Sequence, residues 1–169
     1  MCSHSSSAKK VIEKLAEKLY PFIEAEFDEV LQFHQREPLP DALIKNFHTL
    51  TFEFDLLKNT ELLFVFPVVQ EVFNTKHYPH FKPCGNLSAL QQFVHKKEAL
   101  IKELVTAIHA EALRLRKSPI HSVIYTFEYL FFEEKEKWHK MVVEWNKGCT
   151  CFAKANAEQN LEMQHEFTH

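Results

Sequence analysis

Apolar residues recur at every third or fourth position over four long stretches of this chain, and proline-containing breaks separate the stretches. This spacing matches the helical period of 3.6 residues, so each stretch predicts an amphipathic helix. The predicted helices run from Ala8 to His34, from Pro40 to Asn74, from Asn86 to Arg116 and from Ser118 to Gly148. Short first and last connections with a long one between them are typical of an up-down-up-down four-helix bundle.

Prolines and a polar end divide this pattern further. Pro21 is expected to kink or divide the first helix, and Pro67 to bend the second, because proline lacks an amide N–H and its ring collides with the preceding turn. Residues 75–86 contain two prolines and a glycine without any period, which predicts the long connection. Residues 149–169 form a polar C-terminal tail, in which a short helix from Ala153 to His165 is an open alternative.

Composition supports one helical domain. A chain of 169 residues that is 46% hydrophobic is large enough for one core. It contains only 2 glycines, which leaves few positions for the tight turns of a sheet protein. We therefore predict an all-α fold, with a four-helix bundle over residues 1–148 and a short C-terminal extension over residues 149–169.

Charge and cysteine content narrow the environment. The net charge is −3 and the lysines are interspersed with glutamates, so no basic surface for nucleic acid is expected. The 4 cysteines are too few for a disulfide framework in a domain with this much core. The first residues lack the apolar segment of a signal peptide, and no apolar run reaches the roughly 18 residues of a membrane span. These features predict a cytoplasmic protein without a membrane partner.

The second predicted helix carries a carboxylate in the middle of its apolar face. The stripe at helical spacing consists of Leu43, Phe47, Leu50, Phe54, Leu57, Glu61, Val65, Val68 and Val72. An ionised carboxylate that is buried without a partner costs several kcal/mol or becomes neutral. Glu61 therefore predicts a nearby cation, a proton or a strong hydrogen-bond donor. The sequence leaves three alternatives open: a metal ion, a lysine such as Lys14, Lys18 or Lys97, and exposure of Glu61 near Pro67.

Other potential metal ligands are predicted at a similar height in the bundle. At 100° per residue, Glu134 lies between Phe131 and Trp138 on the apolar face of the fourth helix. With a rise of about 1.5 Å per residue, five side chains lie about 24 to 34 Å from the end with the short turns: Glu61, His95, Glu98, Glu134 and His139. Inward carboxylates and imidazoles are the ligands with which bundles hold iron or manganese. Surface positions for His95 and His139 are the alternative.

A short motif begins at Glu61 and has the letters E-L-L-F-V-F-P. A long connection follows, then a helix with His95, then a helix in which Glu144 lies five residues after His139. This arrangement resembles the hemerythrin-like family, whose second helix carries His-x-x-x-Glu followed by Leu-Phe-Pro. Glu61 and Phe66-Pro67 match that pattern, and the resemblance spans about residues 9 to 147.

The resemblance implies a bundle that holds a non-haem di-iron centre, bridged by carboxylates, which binds oxygen or reacts with nitric oxide or peroxide. Leu57 occupies the position of the family's histidine four residues before Glu61, and the first predicted helix offers no histidine at the matching height. The histidine set is therefore incomplete. A di-iron centre, a single metal ion and no metal at all stay open as alternatives.

Two hypotheses about function follow. The first is a hemerythrin-like non-haem iron protein for oxygen, nitric oxide or iron handling, which binds or senses rather than catalyses. Its expected metal ligands are Glu61, His95, Glu98, Glu134, His139 and Glu144. On the fourth helix, Glu134 and the pair of His139 and Glu144 are competing choices. The second hypothesis is a metal-free bundle that acts by protein association, as a homo-oligomer or with a partner, through its aromatic surface.

Overall fold

The computed structural model describes residues 5–74 and 87–148, and every regular secondary-structure element within these ranges is a helix. Helix α1 spans residues 5–36, α2 residues 41–74, α3 Leu87–Ala112 and α4 residues 119–148. The predicted all-α bundle is confirmed. The predicted connection over residues 75–86 and the tail over residues 149–169 lie outside the described residues.

The four helices pack as antiparallel neighbours. The start of α1 lies against the end of α2, and the end of α1 lies against the start of α4. Helix α2 packs along α3, and α3 contacts α4. The helices therefore form a closed ring in chain order, which brings α1, α2 and α4 around one aromatic core. No helix within the described ranges combines the length and the apolar composition that crossing a membrane requires.

Three of the described helices contain a wide, π-helical turn. These turns are Lys14–Leu19 in α1, Glu61–Val65 in α2 and Phe127–Phe131 in α4. The residue after each turn donates its backbone N–H to a carbonyl five residues earlier: Tyr20 to Leu15, Phe66 to Glu61 and Phe132 to Phe127. Such turns accommodate one extra residue within a helix and are frequent at functional sites.

Two of these turns lie directly before a proline. Pro21 and Pro67 each follow the last donor of a π turn, and the helix continues through both of them. A proline ring collides with the carbonyl of the preceding helical turn, and a wider turn gives that ring more room. The expectation that Pro21 divides the first helix is therefore wrong on this point, since α1 is helical on both sides of it.

The third helix is shorter than predicted. It ends at Ala112 rather than near Arg116, and backbone bonds from Arg114 to Glu111 and from Leu115 to Ala112 tighten the chain after it. Proline disfavours the helical backbone conformation in the residue before it. Ser118, which precedes Pro119, is accordingly extended, with φ −144° and ψ 161°. The chain uses the intervening residues to turn from α3 into α4.

The core is rich in aromatic rings from three helices. Its central members, most of them in edge-to-face contact, are Tyr20, Phe27, Phe47, Phe54, Phe127 and Phe131. A second group joins Phe66 to Trp138, with 5.2 Å between ring centroids, and Trp138 to Trp145 at 5.4 Å. Rings at these separations stabilise the pair by about 0.5–1.5 kcal/mol beyond the burial of area. The charged residues discussed below lie between these two groups along the bundle.

Candidate functional site

Glu61 is fully buried, as the pattern of α2 predicts, and its two oxygens have different partners. The hydroxyl of Tyr20 donates a hydrogen bond to Oε1, and the ammonium of Lys135 donates one to Oε2. The side chain of Lys135 is 2% exposed and that of Glu61 is 0% exposed. Of the partners that the sequence predicts for Glu61, the structure has a cation, the ammonium of Lys135 in α4, and a hydrogen-bond donor, the hydroxyl of Tyr20.

Tyr20 completes this buried group as a neutral donor. Its side chain is fully buried on α1, directly after the first π turn. Burial, followed by the negative charge of Glu61 and the hydrogen bond to it, raises the pKa of Tyr20 well above its usual value. Tyr20 therefore stays protonated at neutral pH and keeps donating to the carboxylate.

The π turn of α4 explains why Lys135 takes the central position. In a regular helix, residues three or four positions apart lie on the same face. Glu134 and Lys135 are therefore equally able to occupy the position between Phe131 and Trp138 on the buried face of α4. The π turn Phe127–Phe131 changes the phase of the residues that follow it. Lys135 consequently points at Glu61 between α2 and α4, whereas Glu134 points toward α1.

Glu98 of α3 extends the group toward solvent. Its Oε1 lies 3.2 Å from the Lys135 ammonium, and its Oε2 lies 2.7 Å from Nε2 of His139. Burial by itself raises the pKa of Glu98, but the hydrogen bond with His139 and the positive charge of Lys135 outweigh it and the pKa is lowered. Glu98 is therefore a carboxylate at neutral pH, shared between a buried cation and an imidazole near the surface.

His95 forms the exposed end of the group. It stacks on His139, with ring centroids 4.0 Å apart, and its Nδ1 lies 3.8 Å from Oε2 of Glu98. Partial burial and the proximity of His139 and Lys135 lower the pKa of His95, and the negative charge of Glu98 only partly opposes them. The neutral form of His95, which is the form that binds metals, is therefore favoured at neutral pH.

These side chains open into a cleft between α3 and α4 with a volume of about 730 Å³. Among its lining residues are His95, Glu98, Lys102, Lys135, His139 and Glu144. One ligand atom from each of His95, Glu98 and His139 can be chosen so that all three lie within 4.8 Å of one another. The rings are nearly parallel, with an interplanar angle of 22°, so both imidazoles must turn for their nitrogens to converge on one ion.

The structure brings together four of the six residues that the sequence suggested as metal ligands. Glu61, Glu98, His95 and His139 form one continuous group through Lys135. Glu144 is exposed and lines the same cleft at a greater distance along α4.

Glu134 is separate from that group. It is buried, but its Oε1 accepts hydrogen bonds from Lys14 at 2.6 Å and Lys137 at 3.2 Å on the α1 side. Burial raises its pKa, yet these two lysines dominate and the pKa of Glu134 is lowered. Of the two choices on α4, His139 faces the cleft with Glu98, and Glu134 faces a lysine of α1.

The residues of the core do not fit a di-iron centre. Both oxygens of Glu61 are engaged, and the Lys135 ammonium occupies the space between Glu61 and Glu98 where bridging carboxylates would meet a metal ion. Leu57, fully buried, takes the position where the resemblance expects a histidine. Positive charge is present here as an ammonium group, so the donor set that remains for a metal is the outer one of His95, Glu98 and His139.

Lys135 is the important residue that the sequence reasoning missed. The apolar stripe of α4 at helical spacing can be written with it as Ile124, Phe127, Phe131, Lys135, Trp138, Val142 and Trp145. A lysine at a central stripe position is as unusual as a glutamate, because lysine is rarely buried unless it is paired. One buried glutamate in the stripe of α2 and one buried lysine in the stripe of α4 together predict an ion pair between Glu61 and Lys135.

Among protein-family models, curated proteins and solved structures, the comparisons find no match to this chain.

Proposed function

We propose that this protein binds a single divalent metal ion, with iron(II) as the first choice, at His95, Glu98 and His139. The observation that carries the proposal is the approach of three ligand atoms to within 4.8 Å of one another at the wall of an open cleft. Two imidazoles and one carboxylate with free coordination positions are the ligand set of non-haem iron(II) sites.

The surroundings suit such an ion. Lys135 binds the inner oxygen of Glu98, which leaves Oε2 directed toward the two histidines. A metal ion here replaces the hydrogen bond between His139 and Glu98 and separates the stacked rings. Its free positions face the cleft, where a small molecule such as oxygen, nitric oxide or peroxide has access. In this proposal the chain is a divergent hemerythrin-like bundle with one metal ion in place of two.

The test is metal binding by purified protein. Anaerobic titration with iron(II) and with manganese(II), followed by calorimetry and metal analysis, is expected to give about one ion per chain. His139→Ala is expected to weaken binding by about tenfold or more, because metal affinity depends on every ligand and its support. Thermal unfolding provides a second readout, since an ion at 100 times its Kd stabilises the folded state by about 2.7 kcal/mol.

A matched control is available on the same pair of helices. His109 of α3 and Glu128 of α4 also lie 2.7 Å apart, but the described residues place no second imidazole beside them. His109→Ala is therefore expected to leave the affinity unchanged. Fewer than about one ion in ten chains, or equal losses in His139→Ala and His109→Ala, contradicts the proposal.

A second candidate function is association with protein partners or with further copies of the chain. Large aromatic side chains lie at the surface of α4: Tyr125 and Tyr129 are each 59% exposed, and their rings are tilted by 35° with centroids 4.9 Å apart. Phe22 and Leu130 line a mainly apolar groove between α1 and α4. Light scattering across a concentration series tests this candidate. A Tyr125→Ser/Tyr129→Ser variant is expected to reduce any concentration-dependent growth in mass.

We place the protein in the cytoplasm, because its few cysteines suit reduced thiols. Nucleic acid is not a proposed partner, since the lysines and glutamates are mixed along the chain and the net charge is −3.

A further inference from the structure

The centre of the bundle has a charge arrangement that resembles a metal site with the metal replaced. Two carboxylates from different helices, Glu61 and Glu98, approach one small cation, the ammonium of Lys135. Tyr20 donates a hydrogen bond to the other oxygen of Glu61 and so holds that carboxylate in position. Oxygen atoms of this kind are the ligands that hard divalent cations prefer.

We infer that Lys135 is an internal cation that holds the place of a metal ion, so that Glu61 and Glu98 form a second cation site which the lysine keeps closed. The site would take a hard divalent ion such as manganese(II) or iron(II). This second site shares Glu98 with the proposed cleft site but uses its other oxygen, and its second carboxylate, Glu61, lies behind Lys135 and is not among the cleft residues.

Electrostatics explain why lysine and metal exclude each other. An ammonium and a divalent ion cannot share the space between Glu61 and Glu98, because like charges at such short range repel strongly where water is excluded. Without either of them, Glu61 is an ionised group with 0% exposure and has only the neutral hydroxyl of Tyr20 as a donor. Removing one partner of a buried pair leaves the other charge uncompensated, so binding of an external cation becomes strongly favourable.

Helix geometry supports the same conclusion. Glu61 is the first residue of the π turn in α2, Tyr20 follows the π turn in α1, and Lys135 comes four residues after the π turn in α4. Three local departures from regular helix thus surround one ion group. Each of them re-aims a side chain, and together they bring three polar groups to the same point within an aromatic core.

The decisive variant is Lys135→Met, which keeps much of the side-chain length and removes the charge. We expect it to bind one manganese(II) per chain more than the wild type in equilibrium dialysis. Its melting temperature should be lower than that of the wild type in EDTA and should rise by about 5 °C or more with saturating manganese(II). A variant that unfolds in EDTA and refolds on addition of manganese(II) also supports the inference.

Two matched variants separate this effect from general damage. In Glu61→Gln/Lys135→Met both buried charges are absent, so the additional ion and its stabilisation should disappear, and the melting temperature in EDTA should exceed that of Lys135→Met. Lys102→Met changes an exposed lysine of the same cleft and should gain no ion.

The outcomes that overturn the inference are equally specific. One is a folded Lys135→Met protein that binds no additional manganese(II). Another is an additional ion that persists in the double variant with Glu61→Gln. A third is a Lys135→Met protein that stays unfolded with manganese(II) while the double variant folds. If the proposed cleft site is wrong, the wild type binds no ion that depends on His139. That result is separate from the number of additional ions in Lys135→Met, so the two failures are distinguishable.

Discussion

The ammonium of Lys135 donates a hydrogen bond to Glu61 at the centre of the bundle, where both side chains are almost completely shielded from solvent. The ring of Trp138 lies 5.9 Å from the same ammonium and adds a cation–π contact. This relationship explains how an apolar helix face tolerates a carboxylate. Because Lys135 pairs with Glu61 and with one oxygen of Glu98, the other oxygen of Glu98 is the carboxylate oxygen that remains beside His95 and His139.

The hydroxyl of Tyr20 is expected to be important for stability. Tyr20→Phe keeps the ring contacts with Phe54 but leaves Oε1 of Glu61 without its donor. An unsatisfied buried acceptor costs about 1–3 kcal/mol, so the free energy of unfolding in urea should fall by that amount. Tyr125→Phe, at an exposed ring, is the control and should stay within about 0.5 kcal/mol of the wild type. Equal effects of the two changes would show that the buried hydroxyl is not needed.

Glu26 predicts a pH dependence of stability. Burial raises the pKa of Glu26, a hydrogen bond with Thr126 partly opposes this, and Oε1 has no hydrogen-bond partner among the described residues. Since the folded-state pKa is above the unfolded one, the folded protein binds the proton more tightly. Stability then decreases as pH rises from the unfolded toward the folded pKa.

Glu26→Gln should therefore be more stable than the wild type at pH 7, and the difference should shrink as the pH falls toward the pKa of glutamate in the unfolded chain. Denaturation in urea at neutral and at acidic pH measures this. Asp28→Asn, an exposed carboxylate of the same helix, should show no comparable gain. A gain that is independent of pH would assign the effect to packing instead of charge.

Glu134 provides a test of the two interpretations of α4. The pairing with Lys14 and Lys137 lowers the pKa of Glu134, so its contribution to stability is present above the unfolded pKa and disappears as pH falls through the folded pKa. Lys14 is 55% exposed, and solvent screening limits this contribution to at most about 1 kcal/mol.

Glu134→Gln should cause this small loss at pH 7 and should leave metal affinity unchanged, whereas His139→Ala should lower the affinity. Calorimetry on both variants decides between them. If Glu134→Gln also lowers metal affinity, the assignment of the ligands on α4 to the cleft side is wrong.

The π turn of α4 predicts an asymmetry between two deletions. Removing exposed Tyr129 converts a wide turn into an ordinary one and keeps the orientation of the residues after it. Removing exposed Glu136 from regular helix instead rotates later residues by about 100° and turns Trp138 and Trp145 out of the core.

Tryptophan fluorescence and urea unfolding measure the outcome. The Tyr129 deletion should keep buried tryptophan emission and one cooperative transition, and the Glu136 deletion should shift the emission to the red. Identical behaviour of the two proteins would contradict the role given to the π turn.

The architecture follows from local physics and was predictable from the chain. Helical period, scarce glycine and the prolines near the helix ends together indicate four amphipathic helices in a bundle. Glu61 was recognisable as a buried charge for the same reason, since every neighbour in its stripe is apolar. The approximate common height of Glu61, Glu98, His95 and His139 also follows from turns of fixed rise.

The partner of Glu61 was decided by tertiary structure. The periodic pattern assumes 100° per residue, and the π turns at Glu61–Val65 and Phe127–Phe131 change that angle by hydrogen bonds that the sequence pattern does not reveal. Whether Glu134 or Lys135 points at Glu61 depends on this helical phase. The phase therefore also decides whether a lysine or a metal ion can compensate the charge of Glu61. The sequence determined that a charge is buried in the core, whereas the packing of α2 against α4 determined which cation compensates it.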